Sequence, residues 1–146
     1  MFLGQFYHNL DEKGRLTIPA KFRELLSTEG GYVIQGFDQN LLVLPSSTYI
    51  TWSHHVNRMS LTDPTPRLLR RLFYSTAHQL DLDSSGRLLL PQFLRKAAGI
   101  DSEVVFVGSG DYFEIWSSEQ WSHQAELLQD AQENAHRFSV FNLTSE

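Results

Sequence analysis

Two short runs, Asp11-Glu12-Lys13-Gly14-Arg15 and Asp83-Ser84-Ser85-Gly86-Arg87, hold the residues of this sequence best arranged to do chemistry. In each, the aspartate at the first turn position can accept the turn's own amides, and the glycine at the fourth can take positive φ. The chain then reverses, and the arginine that follows projects from a rigid hairpin. Its guanidinium is a planar fork of donors that can read a guanine edge or hold a phosphate. The same spacing also lets Asp11 pair with Arg15, and Asp83 with Arg87, only to lock the loop. On the motif alone both readings stand.

No catalytic constellation competes with these turns. The chain contains no cysteine, which excludes a thiolate nucleophile, a thiolate zinc site and a disulfide framework. Gly108-Ser109-Gly110 falls in a hairpin turn and lacks the G-x-S-x-G pattern of a nucleophile elbow. The six histidines show no H-E-x-x-H and no i,i+4 pair, so no metal site is expected. Asp81-Leu82-Asp83-Ser84-Ser85-Gly86 imitates the start of an EF-hand loop, but Gln92 stands where a bidentate glutamate is needed. Neither a Walker A sequence nor G-x-G-x-x-G occurs. The expectation is a non-enzyme without cofactor.

The elements that carry the two turns come from a duplication. Shifting the chain by 72 residues aligns positions 10–46 with 82–118 without a gap, and ten of the thirty-seven pairs are identical, including Asp11/Asp83, Gly14/Gly86, Arg15/Arg87, Pro19/Pro91 and Arg23/Arg95. This spacing reads as a doubled half-domain rather than a solenoid. Each copy is expected to run as an extended segment, a turn, a second strand, a short helix, a hairpin and a longer helix. Pro19 and Pro91 suit the first position of the short helices, and Gly99 suits a C-terminal stop. Hairpins are expected around Gly36–Asn40 and Gly108–Asp111. Ser46/Ser47 and Ser117/Ser118 are candidate caps for the longer helices, with Gln120 completing a capping box after Ser117. The organisation is therefore a first repeat over 1–60, a linking helix over 61–76, a second repeat over 77–137 and a tail over 138–146. Neither half has the residues for a good core alone, so the copies should wrap together as one pseudo-twofold, β-rich unit.

A composition of 41% hydrophobic, 12% aromatic and 20% charged residues suits one compact core and not a disordered polyelectrolyte. The opening Met1–Phe6 lacks a basic segment and a long apolar run, and no apolar run approaches a membrane span. The expected location is the cytoplasm, with no membrane partner. The formal charge of −5 conceals an asymmetry. Residues 1–76 carry eight Lys+Arg against six Asp+Glu, net +2, and residues 77–146 carry four against eleven, net −7. An anion-binding face is therefore expected in the first half, where Lys13, Arg15, Lys21 and Arg23 crowd the first turn and the helix after it. Arg87 is expected to matter more for stability or subunit contact. Arg67, Arg70, Arg71 and Tyr74 share one face of the linking helix, which is either solvated or a contact to DNA or another subunit.

The run Asp11-Glu12-Lys13-Gly14-Arg15-Leu16-Thr17-Ile18-Pro19-Ala20-Lys21-Phe22-Arg23 follows an N-terminal Met-Phe-x-Gly, and Asp-x-x-Gly-Arg-x-x-x-Pro recurs half a chain later. In these features the sequence resembles the MraZ family, tandem AbrB-like proteins encoded at the head of bacterial division and cell-wall gene clusters. The resemblance implies a β-rich α+β fold in which two swapped-hairpin halves form one pseudo-twofold β-barrel with flanking helices. It implies a sequence-specific DNA-binding transcriptional regulator, nucleoid-associated, that represses its own gene cluster. It further implies a homo-oligomeric ring that binds double-stranded DNA at tandem direct repeats in the promoter. By motif match Arg15 is the DNA-contacting residue, supported by Lys13, Lys21 and Arg23. Asp11, Gly14, Asp83 and Gly86 shape the loops, and the role of Arg87 is open. The alternative is a ring-forming assembly or adaptor protein without direct DNA readout, in which the Asp-Arg turns only close subunit contacts.

Overall fold

In a computed structural model that describes residues 1–144, the 72-residue offset in sequence becomes an offset of elements. Strand β1 (Gln5–Asn9), strand β2 (Arg15–Thr17), helix α1 (Ala20–Leu26), the hairpin β3 (Gly31–Gln35) and β4 (Leu41–Pro45), and helix α2 (Ser46–Asn57) form the first series. After helix α3 (Pro64–Ser75) the series recurs as β5 (His78–Gln79), β6 (Arg87–Leu89), α4 (Gln92–Ala98), β7 (Glu103–Gly108), β8 (Phe113–Ser117) and α5 (Ser118–Gln129). Helix α6 (Ala131–Arg137) and a 3₁₀ turn at Phe138–Val140 follow. The last two residues of the sequence-based tail lie outside the described residues. No helix among the described residues is long and apolar enough to cross a membrane.

The fold is mixed α+β with antiparallel pairing throughout its named ladders. One six-stranded sheet has the order β1-β7-β8-β4-β3-β5, and β2 and β6 form a separate two-stranded ribbon. The order reads the same from either end once the copies are exchanged. β1 of the first half pairs with the second half's hairpin, and β5 of the second half pairs with the first half's hairpin. At the centre β4 meets β8.

Alternation along the strands divides the apolar residues between the two faces of the large sheet. Val33, Leu41 and Val43 point to one face, where they join Phe22 and Leu26 of α1, Leu94 and Ala98 of α4, and Leu16 and Leu88 from the ribbon in one cluster fed by both halves. Phe22 and Phe113 meet there with ring centroids 4.6 Å apart. Ile34, Leu42 and Leu44 point to the other face, where α2 and α3 cover them through Trp52, Val56, Leu69 and Phe73. Tyr49 of α2 stacks on Phe73 at 4.5 Å and donates its hydroxyl hydrogen to the Phe73 carbonyl. On the second half Val105 and Trp116 are covered on that side by Trp121 of α5.

Two expectations about helix starts are corrected. Pro19 and Pro91 occupy the N-cap position, with extended ψ of 138° and 144°, one residue earlier than the first helical position expected. The extended ψ lets each proline end the preceding strand segment while its carbonyl already accepts helical amides. The serines at the start of α2 do not cap it. Pro45 is the N-cap, and the carboxylate of Glu29 accepts from the amide and hydroxyl of Ser47, each at 2.7 Å. At α5 the capping box starts as expected, since Ser117 accepts from the Gln120 amide at 3.1 Å. Gly99 ends α4 with φ of 64°.

Candidate nucleic-acid interface

The ribbon sets the geometry of the site. Its register places Arg15 opposite Leu89, Leu16 opposite Leu88 and Thr17 opposite Arg87. Cross-strand partners share a face. Leu16 and Leu88 are buried in the shared cluster, so Arg15, Thr17, Arg87 and Leu89 all face outward. Leu89 is 58% exposed. Arg15 and Arg87 are diagonal neighbours across the ribbon, a relation that spaces residues by roughly 7–8 Å. The Asp11–Gly14 and Asp83–Gly86 turns stand at its opposite ends, because the Leu90 amide bonds the Gly14 carbonyl and the Ile18 amide bonds the Gly86 carbonyl.

The two turns are built alike. Asp11 Oδ1 accepts from the amides of Lys13 and Arg15 at 2.9 and 2.8 Å, and Oδ2 accepts from Arg15 Nε at 2.7 Å. Asp83 does the same with Ser85, Arg87 and Arg87 Nε, at 2.9, 2.9 and 2.8 Å. Gly14 and Gly86 hold φ of 80° and 76°, a conformation that disfavours any other residue. The carboxyls of Asp11 and Asp83 are held below the ordinary aspartate range. The arginine backbone amide is the main cause, followed by the arginine side chain and the amide of residue 13 or 85. The Asp–Arg lock and an outward arginine therefore coexist. Each aspartate occupies Nε, and the two terminal amino groups of each guanidinium have no hydrogen-bond partner among the described residues. The hydrogen bonding is the same in both turns; the difference lies in Glu12-Lys13 against Ser84-Ser85.

The structure gathers some of the expected residues and separates others. Asp11, Gly14, Arg15 and the exposed Lys13 lie at the first turn. Lys21 is exposed on α1. Arg23, expected beside the first turn, packs against Gly86 of the second, where a Cβ would run into its side chain. Arg95 of α4 sits against Gly14 in the matching place. The short helix of each copy thus braces the turn of the other, and the Nε atoms of Arg23 and Arg95 are buried with no hydrogen-bond partner among the described residues. Sequence reasoning passed over Arg95, although its identity with Arg23 in the repeat was the available signal. It also passed over Thr17 and Leu89, which the register alone brings to the arginine face.

The basic face of α3 lies elsewhere. Because α3 covers the sheet face opposite the one that receives the ribbon, Arg67, Arg70, Arg71 and Tyr74 are on the far side of the large sheet from Arg15 and Arg87. Arg70 donates to Asn57 Oδ1 at 2.8 Å and lies over the Tyr74 ring at 5.6 Å, and Tyr74 donates to the same Asn57 oxygen at 2.7 Å. Among the described residues no group of three or more His, Cys, Asp or Glu is placed to hold a metal ion.

Comparison with known proteins agrees with this duplicated plan. The family model for MraZ protein matches twice, over residues 1–72 and 73–141. A relative named Transcriptional regulator MraZ from Herpetosiphon aurantiacus is 46% identical over 121 residues, covering 83% of this chain and 84% of its own. Relatives of the same name from Thermomicrobium roseum and Lactiplantibacillus plantarum are each 43% identical, over 88% and 83% of this chain and 89% and 85% of their own. With one match to each repeat and relatives aligned over most of their length, the chain belongs to the MraZ family.

Proposed function

We propose that this chain is a sequence-specific DNA-binding transcriptional regulator that reads promoter DNA with the outward face of the β2–β6 ribbon. The observation that carries the reading is the pair of arginines on that face, each fixed at Nε by its own aspartate. Each keeps its terminal amino groups for an incoming base or phosphate. The major groove of B-DNA, about 12 Å wide, admits a two-stranded β-ribbon. Lys13 adds a phosphate contact at the first turn and Lys21 a second from α1. Arg23 and Arg95 act by bracing the turns. The name of the relatives, Transcriptional regulator MraZ, supports the same role.

A single ribbon on a chain of net charge −5 makes few phosphate contacts, and such binding is weak and salt-sensitive. A closed ring of subunits on tandem direct repeats multiplies it, because later contacts become intramolecular. We read the target as the promoter of the protein's own division and cell-wall gene cluster, the outcome as repression, and the location as the nucleoid in the cytoplasm. The two sheets that enclose one cluster from both halves support reading them as a swapped-hairpin barrel, with repeats over 1–60 and 77–137 joined by the 61–76 segment that holds α3.

A gel shift with DNA from upstream of the gene, at several salt concentrations, tests the function. Binding that outlasts a scrambled duplex of the same composition as salt rises is expected. Equal affinity for both duplexes at every salt concentration would leave the chain without a reading function and favour the adaptor alternative.

A further inference from the structure

The third helix of each half is used differently. α3 buries Phe73 and packs Leu69 against the sheet. α6, which follows α5 after an extended Asp130, buries no residue and packs on the 3₁₀ turn behind it. The C-terminal segment is thus an arm whose larger apolar residues stay about half exposed. Leu127, Leu128, Phe138 and Phe141 are 49%, 54%, 44% and 63% exposed. The arm is also acidic, with Glu126, Asp130 and Glu133 all exposed, while His136 and Arg137 stand at its far end.

A matching surface exists on α3. Leu61, Arg67, Arg70, Arg71, Tyr74 and Ser75 line a groove of about 510 Å³. Leu68 beside it is 66% exposed. The ion pairs among the described residues are both in the Asp-Arg turns and leave these three arginines without a carboxylate. The groove cannot serve the DNA under the ribbon, because the large sheet lies between them. Its arginines and leucine call for an occupant that is both acidic and apolar, and the arm of a second copy offers both.

We propose that the acidic C-terminal arm of one copy docks into the α3 groove of the next. Glu126 and Glu133 face the α3 arginines, and Leu127, Leu128 and Phe138 cover Leu61 and Leu68. Groove and arm are different surfaces of one chain, so the contact is head-to-tail and closes into a ring when its rotation permits. This inference rests on the ring reading above and names the surfaces that build the ring.

The test uses the full chain and light scattering at micromolar concentration. Arg70→Glu/Arg71→Glu and Glu126→Arg/Glu133→Arg should each lower the mass to a single chain while melting close to the parent, since Arg71, Glu126 and Glu133 are exposed and Arg70 is half-buried. An equimolar mixture of the two variants should reassemble, because each reversed surface then meets its opposite. A parental mass of one chain overturns both the ring and this contact. A parental oligomer that survives both reversals, or variants that fall apart and fail to reassemble on mixing, overturn the contact and leave the ring standing. Loss of DNA affinity at unchanged mass in Arg70→Glu/Arg71→Glu would make the groove a nucleic-acid contact instead and also overturns it. Should that pair fail to fold through loss of the bond to Asn57, Leu68→Gln/Arg71→Glu poses the same question without touching Arg70.

Discussion

Asp11 holds two backbone amides and the Arg15 Nε at once, and this triple demand fixes where the guanidinium can reach. The carboxylate is the form that accepts all three, so its folded pKa lies below the ordinary value. The sign for stability follows. The contribution is complete above the unfolded pKa of about 4 and is lost as pH falls through the lower folded value. Turn geometry should therefore be indifferent to pH from neutrality down to about 5. NMR titration of the side-chain carboxyls should place both Asp11 and Asp83 below the ordinary 3.9, and Arg15→Ala should raise Asp11. A midpoint for Asp11 at or above the ordinary value would mean that the lock is absent in solution. The turn itself was legible in the sequence because all its partners lie within four residues. The neighbours of Arg23 were not, because no local pattern says that the short helix braces the other copy's turn.

At the scale of elements, local signals worked where the bond was local and failed where it spanned the chain. Ser117 with Gln120, three positions on, reads as a cap from local sequence, and it is one. The start of α2 depends on Glu29, seventeen residues before Ser46 in the chain and brought there by the β3–β4 hairpin. Glu29→Ala should lower stability by removing the acceptor at the start of α2, seen as a fall in melting temperature. A melting temperature equal to the parent's would show that the Ser46 region caps itself. The ribbon is a second such case. Each three-residue strand is visible by its motif, but only the swap pairs Arg15 with Leu89 and Thr17 with Arg87 and so brings both arginines to one face. The charge difference between the halves separately predicts unequal roles for the two turns on that shared face.

For the whole molecule, the exchange of β1 and β5 means that neither repeat owns its core. Leu16, Phe22 and Val43 bury themselves against Leu88, Leu94 and Phe106 of the other half. A fragment ending at residue 72 should therefore lack cooperative melting and dispersed NMR signals, whereas the intact chain shows both; a fragment that folds alone as a monomer would contradict the swap. Shared burial was foreseeable from two short copies with too few apolar residues each, but which strands cross was not, because β1 and β5 carry no mark of their partners. The swap also brings the two arginine turns together on one ribbon, with α3 on the far side of the large sheet. That the paired turns read DNA is the central claim, and one measurement addresses it most directly: affinity for the upstream DNA, at matched salt, of the parent and of folded, assembled Arg15→Ala and Arg87→Ala. A lost base or phosphate contact costs about 1–3 kcal/mol, so Arg15→Ala should weaken binding by roughly five- to a hundredfold or more as repeated subunits compound the loss. Arg87→Ala should weaken it less, having no neighbouring lysine to act with. Affinities equal to the parent's in both variants would contradict the account.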